Sequence, residues 1–181
     1  PADVDALAAL IPDLPIWAMM ETPQGILNAA SIAAHPRIAG FVLGTNDLAK
    51  DLNSRGRTAL MMSLQMCLLA AKAAGIVALD GVYNAFKDDD GLRVECAQGR
   101  DMGYDGKTLI HPAQVAIANA AFGPTEDEIE LARRQIAAFE AAEAEWQGVA
   151  VVDGRIVENL HIVTARATLA KAGAIAALET T

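Results

Sequence analysis

Four short apolar runs punctuate the first two thirds of the chain: Ile16–Met20, Gly40–Gly44, Ile76–Leu79 and Lys107–Ile110. Each is too short for a helix and is closed by glycine, proline or a polar residue, which is the pattern of strands buried in a parallel sheet. Helical patterns lie between them. One covers Gln24 to Ala34, entered after Pro23 and stopped before His35-Pro36, where proline forbids continuation. A second covers Thr58 to Ala74, apolar around most of its circumference and rich in methionine, ending at Gly75 as a C-terminal cap. A third covers Asp88 to Met102, with aspartates at its N-terminal end. The alternation is βαβα, the rhythm of a parallel sheet or barrel.

The last third changes character. Gly123-Pro124-Thr125-Glu126-Asp127-Glu128 reads as a turn followed by a capped, acidic helix start, with the helix running to about Trp146. Val149 to Val157 places two apolar runs around Asp153-Gly154, a hairpin signal. An Ala-rich helix from about Glu158 to Leu178 closes the chain. The expected organisation is residues 1–123 as an α/β unit and 124–181 as a hairpin and helical extension. Four strands with one layer of helices leave a large apolar face uncovered, so the sequence looks like half of a closed barrel.

Composition narrows the function classes. The chain has 181 residues, 53% of them apolar, enough for one domain with a substantial core plus an appendage. Its net charge of -9 and the lack of a Lys/Arg cluster exclude a nucleic-acid surface. No apolar run approaches the roughly 20 residues that span a bilayer. Cys67 and Cys96 fit neither a disulfide framework nor a CxxC site, and a reducing cytoplasm is the expected compartment. The start on Pro1, directly on a helical pattern, suggests a mature or truncated product.

The residues with chemical potential cluster at predicted strand ends. Glu21 and Asp47 each stand at or just past the C-terminal end of a strand, where parallel α/β proteins gather ligands. Two carboxylates there can converge on one hard cation and leave positions for water and substrate. They can equally be solvated loop acids or helix caps. Asp80 ends the third strand and is left between a metal-ordering and a structural role, and His111 follows the fourth. Gly106-Lys107-Thr108 resembles the end of a phosphate-binding loop, but Asp101 stands where that motif needs glycine, and the helix precedes the strand. A nucleoside-triphosphate site is rejected. Lys107 is left between a role at a ligand's phosphates and an ion pair with Asp105.

The segments Met20-Glu21-Thr22-Pro23-Gln24-Gly25-Ile26-Leu27-Asn28, Gly44-Thr45-Asn46-Asp47-Leu48, Leu79-Asp80-Gly81-Val82-Tyr83 and Gly103 to Pro112 resemble successive signatures of the citrate lyase beta subunit and malyl-CoA lyase family, within the HpcH/HpaI aldolase superfamily. They occur in order across residues 16 to 115, and the Asp153-Gly154 hairpin extends the resemblance almost to the end. The resemblance implies a (β/α)8 TIM barrel, of which this chain holds strands five to eight plus a C-terminal extension, with the N-terminal half-barrel as its missing partner. It implies Mg²⁺ on Glu21 and Asp47, chelating the acid end of a 2-oxo acid such as glyoxylate or oxaloacetate, with peptide N–H groups around Asp47 and Leu48 cradling the acid's carboxylate. It implies carbon–carbon cleavage of a malyl- or citryl-thioester, on CoA or an acyl carrier protein. Glu158 matches a position where family members often carry an Asp that reaches a neighbour's site in a homotrimer and exchanges a proton with the acetyl carbon. The same resemblance lets Asp80 order the metal's water shell and His111 line the thioester channel. Rival readings are a pyruvate-type aldolase of the same superfamily and a half-barrel fragment serving only as an interaction piece.

Overall fold

The computed structural model describes residues 2–144 and 149–179. They fall into two compact units, Pro1–Phe122 and Gly123–Thr181.

In the first unit, strands β1 (Ile16–Met20), β2 (Ile38–Leu43), β3 (Val77–Asp80) and β4 (Gly106–Lys107) form one parallel sheet in the order β1-β2-β3-β4. The register sorts the residues into two faces, because strand side chains alternate. Ala18, Phe41 and Ala78 form one row, and Met20 and Leu43 belong to the next row with Asp80 and Lys107. Met20, Phe41, Leu43, Ala78 and Asp80 are all buried, under the helices. The opposite face carries Trp17, Met19 and Val77, all exposed, with the Trp17 ring lying over Gly40. A β-carbon at Gly40 would come 2.5 Å from that ring, so glycine is what lets the indole lie flat there. The face is apolar and uncovered, as the count of strands predicts.

The helices depart from the sequence expectation in instructive ways. The segment 24–34 is two short helices, α2 (Pro23–Leu27) and α3 (Ala29–Ala33), broken at Asn28, whose side-chain amide donates to the Gln24 carbonyl. A short polar side chain that bonds the local backbone competes with the helix. The methionine-rich segment starts as a 3₁₀ turn (Arg57–Leu60) before α5 (Met61–Ala74), and Gly75 caps it at φ 70°. Helix α6 is Asp89–Met102, capped by Asp88 and ended by Gly103 at φ 106°. The helical opening of the chain is α1 (Ala2–Leu10), and two helices escape the apolar pattern: α4 (Thr45–Asp51) and α7 (Val115–Phe122). The fourth strand is only two residues long: the Thr108 amide makes the last ladder bond, to the Asp80 carbonyl, and the Ile110 amide is taken by Gln114 Oε1.

In the second unit, α8 (Glu126–Ala144) begins with a reciprocal capping box. Thr125 Oγ1 accepts from the Glu128 amide at 3.2 Å and Glu128 Oε2 from the Thr125 amide at 2.8 Å. The expected end near Trp146 lies outside the described residues. The hairpin joins β5 (Ala150–Val152) to β6 (Arg155–Val157) through Asp153 and Gly154, both at positive φ, which matches the strand twist. Arg134 on α8 pins the turn through a 2.6 Å bond to Asp153. Helix α9 (Asn159–Glu179) packs on α8, with Ala132 and Ala165 buried and Ala142, Val157 and Ile162 in a small core. Among the described residues no helix is long and apolar enough to cross a membrane.

Candidate metal site at the strand ends

Four parallel strands running side by side bring their C-terminal ends to one edge of the sheet. Glu21 is the first residue past β1, and Asp47 lies in the first turn of α4, three residues past Gly44 at the end of β2. The β1–β2 ladder extends one step beyond the strands, since the Gly44 amide donates to the Met20 carbonyl at 3.2 Å. That step sets Glu21 beside Gly44. A β-carbon at Gly44 would sit 2.4 Å from Glu21 Cβ and 2.7 Å from its Oε2, so the Glu21 side chain occupies the space that any other residue would fill. Gly81 follows β3 in the same way, and a β-carbon there would meet the Thr45 side chain at 2.5 Å. The mouth of the sheet therefore carries one acid beside two residues without side chains.

Glu21 is half-buried and Asp47 exposed, and neither carboxylate has a hydrogen bond or ion pair with another described residue. Among the described residues no group of three or more His, Cys, Asp or Glu gathers to hold a metal. A pair of unengaged carboxylates still fits Mg²⁺, which keeps several waters and commonly takes only one or two carboxylates from the protein, with substrate oxygens completing the shell. Leu48 anchors α4 by its side chain, which is fully buried. Its amide donates to the Gly44 carbonyl at 3.1 Å. The N–H groups left open at this helix start are thus those ahead of Leu48.

Asp80 faces the helix layer. Arg57 grips its carboxylate with both terminal nitrogens, at 3.0 and 2.9 Å, while Lys107 Nζ lies 3.0 Å from Oδ2 and the Gly81 amide 2.8 Å from Oδ1. Lys107 also bonds Glu95 at 2.6 Å, and Arg57 Nε bonds Gln98 at 2.6 Å. Asp80 thus has a structural place in a buried network of two cations and two anions. This corrects the two expectations for Lys107. Its side chain is fully buried, which removes it from any surface for CoA phosphates, and it is Lys72 that pairs with Asp105, at 2.7 Å. No local periodicity announces this network, because its members come from the 3₁₀ turn, β3, α6 and β4.

His111 is exposed, accepts the Ala113 amide on Nδ1 at 3.2 Å, and stacks on Phe86 with ring centroids 4.8 Å apart. Neighbouring Tyr83 donates to Asp88 at 2.6 Å. That bond, with burial adding to it, pushes the Tyr83 hydroxyl up to about 12, and the same bond holds Asp88 below the usual carboxylate range. Burial pushes the Cys67 thiol up to about 12 and raises Cys96 as well, so neither suits a nucleophile. The link from Asn46 to Asn84 was invisible in the sequence. Each side-chain amide donates to the other's oxygen, at 3.2 and 2.6 Å, joining the start of α4 to the loop after β3.

In the second unit, Glu158 is the residue before α9 and is exposed. Its carbonyl accepts the His161 amide and its own amide donates to His161 Nδ1 at 2.9 Å, while its carboxylate has no described partner. His161 is therefore a capping group, a role that only the fold reveals.

Comparison with known proteins agrees with this architecture. A (3S)-malyl-CoA thioesterase of Cereibacter sphaeroides is 72% identical over 179 residues, which cover 97% of this chain and 63% of that protein. The citrate lyase subunit beta of Escherichia coli is 36% identical over 161 residues, covering 87% of this chain and 53% of that protein. A crystal structure of the CitE protein of Mycobacterium tuberculosis in complex with magnesium, acetoacetate and coenzyme A superposes with a TM-score of 0.77 at 29% identity, covering 93% of this chain and 64% of that one. The chain spans less than two thirds of the length of these relatives. Residues 10–112 match the family described as HpcH/HpaI aldolase/citrate lyase, and the chain belongs to that family.

Proposed function

We propose that this chain carries the metal-binding part of a Mg²⁺-dependent enzyme acting on a malyl-CoA-type thioester, with Glu21 and Asp47 as the metal-binding carboxylates. The observation that carries the reading is the pair itself: two acids with no partner among the described residues, just past the ends of adjacent parallel strands, one of them seated across a glycine. The magnesium, acetoacetate and coenzyme A in the CitE complex support both the ion and the substrate class. A bound Mg²⁺ supplies Lewis-acid stabilisation to the oxygens at the acid end of the substrate. Leu48 serves the site by anchoring α4 in the core, which sets where Asp47 stands. His111 and Phe86, stacked and exposed past β4, offer an apolar wall to a thioester arm.

The architecture we infer is strands five to eight of a TIM barrel in residues 1–123, with 124–181 as an extension. The exposed Trp17, Met19 and Val77 are the inner face of that barrel, covered by the N-terminal half. Glu158, at a helix start and with no carboxylate partner among the described residues, is the candidate proton-transfer group, delivered to a neighbouring subunit of a homotrimer.

Two reactions share this site. In hydrolysis, water adds to the thioester carbonyl, the C–S bond breaks, and the departing thiolate takes a proton, giving malate and CoA thiol. In carbon–carbon cleavage, the 2-hydroxyl loses its proton, the C–C bond breaks, and the acetyl carbon gains a proton, giving glyoxylate and acetyl-CoA. The thioesterase that is 72% identical favours hydrolysis, and the citrate lyase subunit that is 36% identical favours cleavage. We give hydrolysis first place on that difference. Incubating the intact protein with (3S)-malyl-CoA and Mg²⁺ separates them: free thiol with malate supports hydrolysis, and glyoxylate with acetyl-CoA supports cleavage. Release of neither overturns the substrate assignment.

A further inference from the structure

We propose that Asn84 is a positioning residue for Asp47, acting through its reciprocal hydrogen-bond pair with Asn46; this rests on the metal reading of Asp47 given above. Helix α4 has seven residues, and its N-cap is Gly44, which offers no side-chain acceptor to the first turn. A helix that short is marginal by itself, and most of its stability must come from tertiary contacts. Leu48 fixes its buried side. Thr45, seated against Gly81, steadies the start of the turn, which leaves the exposed side with Asn46 and Asp47 as its freest part.

Two polar ties remove this freedom, and both lead to the end of β3. At the start of α4, Asn46 and Asn84 exchange hydrogen bonds of 3.2 and 2.6 Å. Beyond its end, Arg57 holds Asp80 by a two-pronged bond at 3.0 and 2.9 Å. The second tie is buried and strong, and the first is exposed. Asp47 has no partner of its own among the described residues, so the orientation of its carboxylate is inherited from the helix. The Asn46–Asn84 tie is the one adjacent to it in sequence. Glu21, packed across Gly44 on β1 and β2, does not depend on this tie.

The test is calorimetric titration of Mg²⁺ into the intact protein, alongside thermal melting. Wild type is expected to bind one ion and Asp47→Asn to lose binding. Asn84→Ala is expected to weaken Mg²⁺ about tenfold, the lower end of what outer partners of metal ligands contribute. Asn84→Gln, which keeps both donor and acceptor without adding charge but on a longer side chain, is expected to fall between. Tyr104→Phe removes a buried bond to the Leu64 carbonyl elsewhere in the core, and should lower the melting temperature while leaving Mg²⁺ affinity unchanged. Wild-type affinity in folded Asn84→Ala, with Asp47→Asn inactive in binding, overturns the positioning role and leaves the metal reading standing. Affinity that falls equally in Asn84→Ala and Tyr104→Phe reduces Asn84 to a general stability effect and overturns it too. Undiminished binding in Asp47→Asn overturns both proposals. If Asn84→Ala does not fold, Asn84→Gln decides the question by the same criteria.

Discussion

Glu21 lies across Gly44, so closely that a β-carbon at position 44 would stand 2.7 Å from the Glu21 carboxylate oxygen. Gly44 has φ -88°, a conformation open to any residue, so the glycine answers to this contact and not to backbone geometry. Gly44→Ala should therefore cost modest stability, about 1–3 kcal/mol as for other overpacked sites. It should weaken Mg²⁺ by more than that stability loss suggests, roughly 10- to 100-fold, by displacing a ligand. Melting and calorimetry on the same preparation check this, and unchanged Mg²⁺ affinity would separate Glu21 from the ion.

The buried network makes a prediction about stability alone. Lys107→Met leaves Asp80 with Arg57 but strips Glu95 of its 2.6 Å partner inside the helix layer, leaving it only a longer 3.6 Å contact with Arg57. Removing one member of a buried ion pair costs about 3–5 kcal/mol. Denaturant unfolding should show that loss, whereas a surface variant such as Lys72→Met, which breaks the half-exposed pair with Asp105, should cost about 1 kcal/mol or less.

Tyr83 and Asp88 give a pH dependence. The Tyr83 pKa is raised in the folded protein, so its contribution is fully present below about 10 and is lost as pH rises toward about 12. The Asp88 pKa is lowered, so its contribution is present above about 3.8 and is lost as pH falls through its folded value. Tyr83→Phe should flatten the alkaline loss and move Asp88 part of the way back toward the ordinary carboxylate range, with the Gly91 amide still holding it down. Tyrosinate absorbance follows the first, and the chain's two tyrosines make it readable, since buried Tyr104 is raised further still.

Glu158→Ala should keep Mg²⁺ affinity and lose about 10²- to 10⁴-fold in turnover if Glu158 transfers a proton. Turnover equal to wild type would make it a helix-start acid only.

The strands were legible because short apolar runs closed by turn residues leave few alternatives, and the hairpin because Asp153-Gly154 tolerates positive φ. Which face Asp80 takes was not legible. A strand buried on one face and apolar on both shows no alternation, so Leu79-Asp80 alone does not say which residue points inward. The break at Asn28 and the short helix at Thr45–Asp51 were hidden because both depend on local hydrogen bonds and tertiary anchoring rather than on apolar period. Glu21 and Asp47 stood out in the sequence by position, and Glu158 by resemblance. Arg57, Glu95, Asn46 and Asn84 did not, since their partners lie 38, 12 or more residues away and only the fold brings them together.

The central claim is that Glu21 and Asp47 share one divalent ion. Titrating Mn²⁺ as a substitute into the intact protein, and following the free ion by electron paramagnetic resonance, tests it directly. The account predicts one bound ion in wild type, displaced by Mg²⁺, and loss of that ion in Glu21→Gln, in Asp47→Asn and, to no greater extent, in the double variant. Full binding in either single variant, with the fold intact, would contradict it.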